Sequence, residues 1–155
     1  MKKLLETVAY LHKNKITHLD IKPENILFPT PHDPNQIKLT DFGLSKYTDC
    51  YQIRGLTGSF GYMAPEMFTH GVYTRKADIF SCGMVLYVML TGENPIIGFN
   101  DVIMRQRTIE NVLSFSVTGE TYLSFPAVDM IQNMTNTNSL ERLSAEELLR
   151  HPWIT

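Results

Sequence analysis

Ile79 to Leu90 forms a nearly unbroken apolar run of twelve residues, interrupted only by the small side chains of Ser81, Cys82 and Gly83. A helix built from it is apolar on every side and has no solvent face, so other elements must surround it. Spanning a bilayer takes about eighteen or more such residues, so the run reads as a buried helix. Asp78 opens it and Thr91-Gly92 stops it, which makes it the central pillar of a helical domain. At 155 residues the chain has the length of one domain, residues 1–155, built around that pillar.

The flanking patterns supply the surrounding elements. Leu4, Leu5, Val8 and Leu11 recur at helical spacing among Lys2, Lys3, Glu6, His12 and Lys13, predicting an amphipathic helix that ends near Asn14-Lys15. Ile26-Leu27-Phe28 and Gln36-Ile37-Lys38-Leu39-Thr40 bracket the turn-rich Pro29 to Asn35 and predict a small hairpin, with Asn25 and Asp41 at its open end. Gly43 to Gly61 has no sustained period and reads as a long exposed segment of the kind that carries function. Further helices are predicted near 100–111 and 125–134. Ser144 and Glu147 have capping-box spacing for a last helix before Pro152.

Charge and composition narrow the function classes. Fourteen Lys and Arg against sixteen Asp and Glu leave no basic surplus for nucleic acid or an acidic membrane, so phosphate chemistry would have to be local. Two cysteines, Cys50 and Cys82, make neither a disulfide framework nor a four-ligand zinc site, and a reducing compartment is the default. The N-terminus lacks the long apolar stretch of a secretion signal, so the expected location is intracellular and cytoplasmic.

The chemistry-bearing residues cluster in His18-Leu19-Asp20-Ile21-Lys22-Pro23-Glu24-Asn25 and, sixteen residues after Asn25, in Asp41-Phe42-Gly43. Ala64-Pro65-Glu66, Asp78 at the head of the apolar run, Arg142 and the closing His151-Pro152-Trp153 follow in order. These strings resemble the eukaryotic protein kinase family, from the catalytic loop and metal-binding loop through the end of the activation segment to the C-terminal signature. The resemblance implies a mainly α fold: the family's C-terminal lobe, with a small β-hairpin near the catalytic loop. It implies that the N-terminal lobe is absent, since no glycine-rich strand-turn-strand, strand lysine, partner glutamate or hinge is matched. Gly55, Gly58 and Gly61 have the wrong spacing to replace that loop and read as flexible turn glycines.

By the same resemblance, Asp20 orients the acceptor hydroxyl and takes its proton, and Lys22 steadies the transferred phosphoryl group. Asn25 and Asp41 hold Mg²⁺, with Mn²⁺ as an alternative, and their hard oxygen donors suit that cation on physical grounds as well. Glu24 organises peptide or nucleotide contacts, and Leu27 lies beneath the adenine of ATP, supported by Val85 and Met89. His18, Phe42, Gly43, Glu66, Asp78 and Arg142 are structural, with Glu66 and Arg142 the candidates for a buried ion pair. Lys22 and Ser59, the latter closing the peptide site, resemble serine/threonine rather than tyrosine kinases. Gly58 to Met63 and Leu140 to Leu149 resemble the calcium/calmodulin-dependent group.

Two departures matter. Leu19 stands where most members carry an arginine that receives activation-segment phosphate, and Gly55 occupies a usual phosphorylation position. Activity independent of phosphorylation follows as an expectation, although Thr48, Tyr51 and Thr57 remain available as targets. The implied function is ATP-dependent phosphorylation of protein serine and threonine residues by a parent kinase, the chain taken alone being inactive. A non-catalytic C-lobe interaction module is the alternative. The expected partners are a serine- or threonine-bearing protein or peptide, with a regulatory segment or calmodulin outside this chain, and neither nucleic acid nor membrane.

Overall fold

The computed structural model describes residues 1–30, 33, 36–48, 52–115 and 123–155. Cys50, Tyr51 and the tip of the expected hairpin turn (31, 32, 34 and 35) lie outside the described residues. In chain order the elements are α1 (Lys2–Lys13), β1 (Ile16–Thr17), β2 (Ile26–Leu27), β3 (Lys38–Leu39), β4 (Lys46–Tyr47), β5 (Ile53–Arg54), α2 (Pro65–Thr69), β6 (Val72–Tyr73), α3 (Lys76–Thr91), α4 (Asp101–Glu110), α5 (Phe125–Met134) and α6 (Ala145–Leu148).

α3 is the pillar, and every residue from Ala77 to Tyr87 is buried. It ends on Gly92, whose φ of 79° is left-handed and whose N–H donates to the Val88 carbonyl. A glycine inside this helix has a packing reason. A Cβ on Gly83 would lie 2.7 Å from Thr135 Cγ2 and 2.8 Å from Met134 Cβ, so α5 crosses at a distance only glycine permits. α1 buries Leu4, Leu5, Val8 and Leu11 against the same core, joined by Val85, Leu86, Met130, Ile131 and Leu148. α6 begins on a capping box in which Glu147 N–H donates to Ser144 Oγ and Ser144 N–H donates to Glu147 Oε2. That reciprocal bond holds the Glu147 carboxyl below its usual range. No described helix is long and apolar enough to cross a membrane.

The strand content corrects the expectation of a mainly helical lobe with one hairpin. The expected hairpin is β2–β3, pairing Ile26 with Leu39 and Leu27 with Lys38, but two further antiparallel ladders accompany it. β1 pairs with β4 through Ile16–Tyr47 and Thr17–Lys46, and β5 pairs with β6 through Ile53–Tyr73 and Arg54–Val72. A strand-bearing region from Ile16 to Tyr73 and a helical region from Lys76 onward are therefore both present. Two-residue strands are too short to show alternation, and their partners are distant in sequence, so periodicity could not reveal them. The segment after Gly43 is not one free loop: β4 ties its start to β1, and β5 ties its second half to β6.

Candidate active site

The loop between β1 and β2 is held from beneath by one carboxylate. Asp78 is fully buried in the first turn of α3; its Oδ2 accepts from His18 N–H at 2.9 Å and its Oδ1 from Leu19 N–H at 2.8 Å. Leu19 takes a left-handed φ of 68° there, an unusual conformation for a leucine that these bonds stabilise. His18 is fully buried, and both ring nitrogens are occupied: Asp20 N–H donates to Nδ1, and Nε2 donates to the Thr40 carbonyl at 2.9 Å. Those partners specify the Nε2–H tautomer and leave no free lone pair for base catalysis. Its ring meets Phe42 edge-on, with centroids 4.8 Å apart.

Asp20 is 5% exposed and its carboxylate is closely surrounded. Ser59 Oγ donates to Oδ1 at 2.7 Å, Lys22 Nζ lies 3.0 Å from Oδ2, and Asn25 Nδ2 donates to Oδ2 at 3.1 Å and to the Asp20 carbonyl at 2.8 Å. Lys22 Nζ also donates to Ser59 Oγ at 2.7 Å, closing a triangle of carboxylate, ammonium and hydroxyl. Burial alone would push the Asp20 carboxyl up. The bonds from Ser59, Lys22 and Asn25, with the Lys22 charge, outweigh it and hold the group below the ordinary carboxylate range.

Ser59 reaches this position through Gly58. A Cβ on Gly58, whose φ is 125°, would sit 2.6 Å from the Leu19 carbonyl oxygen, so the two loops touch at a point where no side chain fits. The expectation of a merely flexible turn glycine fails here because the close approach, not mobility, demands the residue.

Asn25 closes a single 3-10 turn, Pro23–Asn25, and its carbonyl accepts from Thr40 N–H at 2.9 Å. The β2–β3 ladder thus sets Asn25 beside Thr40 and brings Asp41 to the same end. With Nδ2 committed to Asp20, the other polar side-chain atom of Asn25 is the acceptor Oδ1. Asp41 is exposed at a left-handed φ of 60°, and its Oδ1 accepts from Gly43 N–H at 3.2 Å. Among the described residues no three His, Cys, Asp or Glu side chains converge as an all-protein metal cage. One amide oxygen and one carboxylate fit Mg²⁺ instead, which is commonly bound through one or two carboxylates plus water and phosphate oxygens.

The remaining candidates divide. Glu24 is exposed near Tyr62, whose phenol is pushed up by burial and further by the Glu24 charge. Leu27 is 50% and Met89 62% exposed, whereas Val85 is 2%. Spacing alone would bury all three, but α3 emerges from the core in its last turn and β2 lies at the surface.

Glu66, in α2, and Arg142 form a bidentate pair, Nη1 to Oε1 at 2.7 Å and Nη2 to Oε2 at 2.9 Å. The other Arg142 donors reach the Lys76 and Asn136 carbonyls, so all five guanidinium N–H groups are used, and the plane lies 5.2 Å from the Phe80 ring centroid. Sequence reading missed His12, which it set among the polar positions of α1. It is 3% exposed, and its Nε2 donates to Asp78 Oδ2 at 2.9 Å.

The fold thus brings the aspartate and lysine of the loop beside the asparagine and second aspartate at the end of the adjacent hairpin, the residues expected to act together. The family described as "Protein kinase domain" matches residues 1–154, and the chain belongs to the protein kinase family, among its serine/threonine members. That match, which runs over residues 1–154 of the chain, together with the strand-bearing region beside the helical one, replaces the expectation of a C-terminal lobe alone.

The rabbit (Oryctolagus cuniculus) serine/threonine-protein kinase 17A is 37% identical over 160 residues, covering 100% of this chain and 39% of the relative. Calcium-dependent protein kinase 4 of Plasmodium falciparum is 36% identical over 156 residues, covering 99% of the chain and 29% of the relative. The bovine (Bos taurus) phosphorylase b kinase gamma catalytic chain, liver/testis isoform, is 36% identical over 160 residues, covering 99% and 39%. The chain thus spans between 29% and 39% of the length of these relatives.

Proposed function

We propose that this chain supplies the catalytic and substrate-holding residues for ATP-dependent phosphorylation of protein serine and threonine side chains. The observation that carries the reading is the triangle of Asp20, Lys22 and Ser59 within reach of Asn25. Asp20, held ionised, accepts the proton of an incoming hydroxyl and aims that oxygen at the γ-phosphorus. The new O–P bond forms as the bond to the β-phosphate oxygen breaks, and ADP leaves. Lys22 places positive charge on the transferring group, and Ser59 joins it to the aspartate so that the carboxylate and ammonium keep one geometry.

Asn25 Oδ1 and Asp41 would hold Mg²⁺, which neutralises phosphate charge when bound. Leu27, half exposed on β2, offers an apolar surface to adenine, and the Glu24 carboxylate faces solvent where a peptide or ribose would lie. Several relatives carry calcium-dependent or calcium/calmodulin-dependent names, which supports placing the activity in that group. Asp41→Asn tests the metal assignment. It should raise the Mg²⁺ concentration needed for half-maximal rate by on the order of tenfold or more, since even outer-shell changes at metal sites cost that much. An unchanged Mg²⁺ requirement would remove Asp41 from the metal site.

Phosphorylation of the segment from Gly43 to Glu66 is not required on this reading. Leu19 is buried with Ile53, Met63 and Tyr73, in place of a solvated cation awaiting phosphate. Lys46 Nζ donates to the Arg54 carbonyl at 3.0 Å and links the β4 and β5 ends of the segment without any phosphate. Phosphatase-treated protein, with phosphate removal verified by intact mass, should keep its rate within about twofold of untreated protein. A collapse in rate would show that phosphate organises the segment after all.

A further inference from the structure

We propose that Tyr73 is a positioning residue for the substrate-holding segment: its buried hydroxyl is the seat for the Thr57 side chain, and the bond between them is made when a peptide settles on that segment. The inference rests on the kinase reading given above. Tyr73, in β6, is 2% exposed and packs with Leu19, Ile53, Met63 and Phe80. Its hydroxyl oxygen is sealed from solvent and has no hydrogen-bond partner among the described residues. A buried hydroxyl is normally bonded, because leaving it unpaired forfeits its hydration with nothing in return. A phenylalanine would fill the same space without that cost.

Thr57 is the hydroxyl within reach. Burial pushes the Tyr73 phenol up, and the Thr57 side chain is the neighbour that holds it back, whereas the Asp78 charge raises it further. The Asp78 oxygens already take the His18 and Leu19 N–H groups and the His12 ring, which leaves Thr57. The β5–β6 ladder sets the two side chains near each other: it pairs Ile53 with Tyr73, and Gly55 N–H donates to the Gly71 carbonyl at 3.3 Å before the segment departs. Leu56 and Thr57 then lie between two glycines with left-handed φ, 99° at Gly55 and 125° at Gly58. Leu56 is 57% exposed, and Thr57 is half-buried.

A peptide laid along the exposed side presses the segment inward and brings Thr57 Oγ1 onto the Tyr73 hydroxyl. Ser59, two residues further on, is bonded to Asp20 and Lys22, so the same latch steadies the segment against the loop that carries the chemistry. A group left unpaired in the free protein and satisfied on binding adds its bond to the affinity for the ligand.

Tyr73→Phe removes only the hydroxyl. Its unfolding midpoint should equal or exceed that of the parent, since no bond is lost in the free protein and an unpaired group is removed. Affinity for a fluorescein-labelled pool of serine and threonine peptides, read by anisotropy, should fall about five- to tenfold, the net worth of one hydrogen bond. In steady-state phosphotransfer the KM for peptide should rise by the same factor, with kcat and the KM for ATP within about twofold. Thr57→Val should reproduce the loss, and the double variant should bind no more weakly than either single one. Thr57→Ser, which keeps the hydroxyl, should bind like the parent.

A lowered unfolding midpoint in Tyr73→Phe would overturn the proposal, because the bond would then already exist in the free protein. Unchanged peptide affinity in that variant, additive losses in the double variant, or a parent that binds no peptide would overturn it as well. Unfolding and anisotropy need no phosphate transfer. A parent that binds peptide through this latch but transfers no phosphate would sink the kinase reading alone.

Discussion

Asp20→Asn is expected to lower turnover by about 10²–10⁴-fold, the range that a positioned general base contributes, while nucleotide affinity stays close to that of the parent. The substitution keeps the shape of the side chain and leaves Asn25 and Asp41 in place. It removes the negative charge that binds Lys22 and the lone pair that would take the hydroxyl proton. Steady-state phosphotransfer and a nucleotide titration on the same preparation separate the two effects. A fall in nucleotide affinity as large as the fall in kcat would mean that Asp20 serves binding rather than chemistry. Turnover close to that of the parent would remove its catalytic assignment.

Arg142→Met should destabilise the fold by about 3–5 kcal/mol, because it leaves the Glu66 carboxylate buried without its partner. That is a large part of the about 5–15 kcal/mol that holds a typical domain folded. The loss extends beyond the ion pair: the Lys76 and Asn136 carbonyls lose their donors, and Phe80 loses the guanidinium on its face. Removing the charge on both sides, as in Glu66→Gln with Arg142→Met, should cost less than Arg142→Met alone, since no buried charge is then stranded. Urea unfolding with an unchanged m-value measures both. A cost below about 1 kcal/mol for the single change would show that the pair is solvated in solution.

Much of the helical framework was legible because each helix carries a local signal. α1 shows its apolar stripe, α3 its unbroken run, and α6 its capping box. The ladders β1–β4 and β5–β6 were not legible, since each is two residues long and joined to a distant partner. Burial followed periodicity only where packing agreed with it. His12 falls on the polar positions of α1 yet is buried because Asp78 provides a partner, and Met89 is apolar yet exposed because α3 leaves the core before it.

The site divides in the same way. His18 to Asn25 is contiguous and could be singled out as a string, but the 39-residue separation of Ser59 from Asp20 and the 76 residues between Glu66 and Arg142 are bridged only by the tertiary fold. No spacing rule in one sequence encodes such contacts; family resemblance suggested the residues and the pairing of Glu66 with Arg142, and the geometry supplied the bonds that join them. The Gly58 approach to Leu19 explains why that glycine accompanies Ser59, a link invisible when turn glycines are read one at a time.

The most direct test of the central claim is transfer of labelled phosphate from Mg-ATP by the purified protein carrying this chain to a peptide library with serine, threonine and tyrosine acceptors. An identically prepared Asp20→Asn protein excludes a contaminating kinase. The account predicts label on serine and threonine but not tyrosine, dependence on Mg²⁺, and loss of label in the Asp20→Asn protein. Equal incorporation by parent and variant, or label on tyrosine alone, would contradict it.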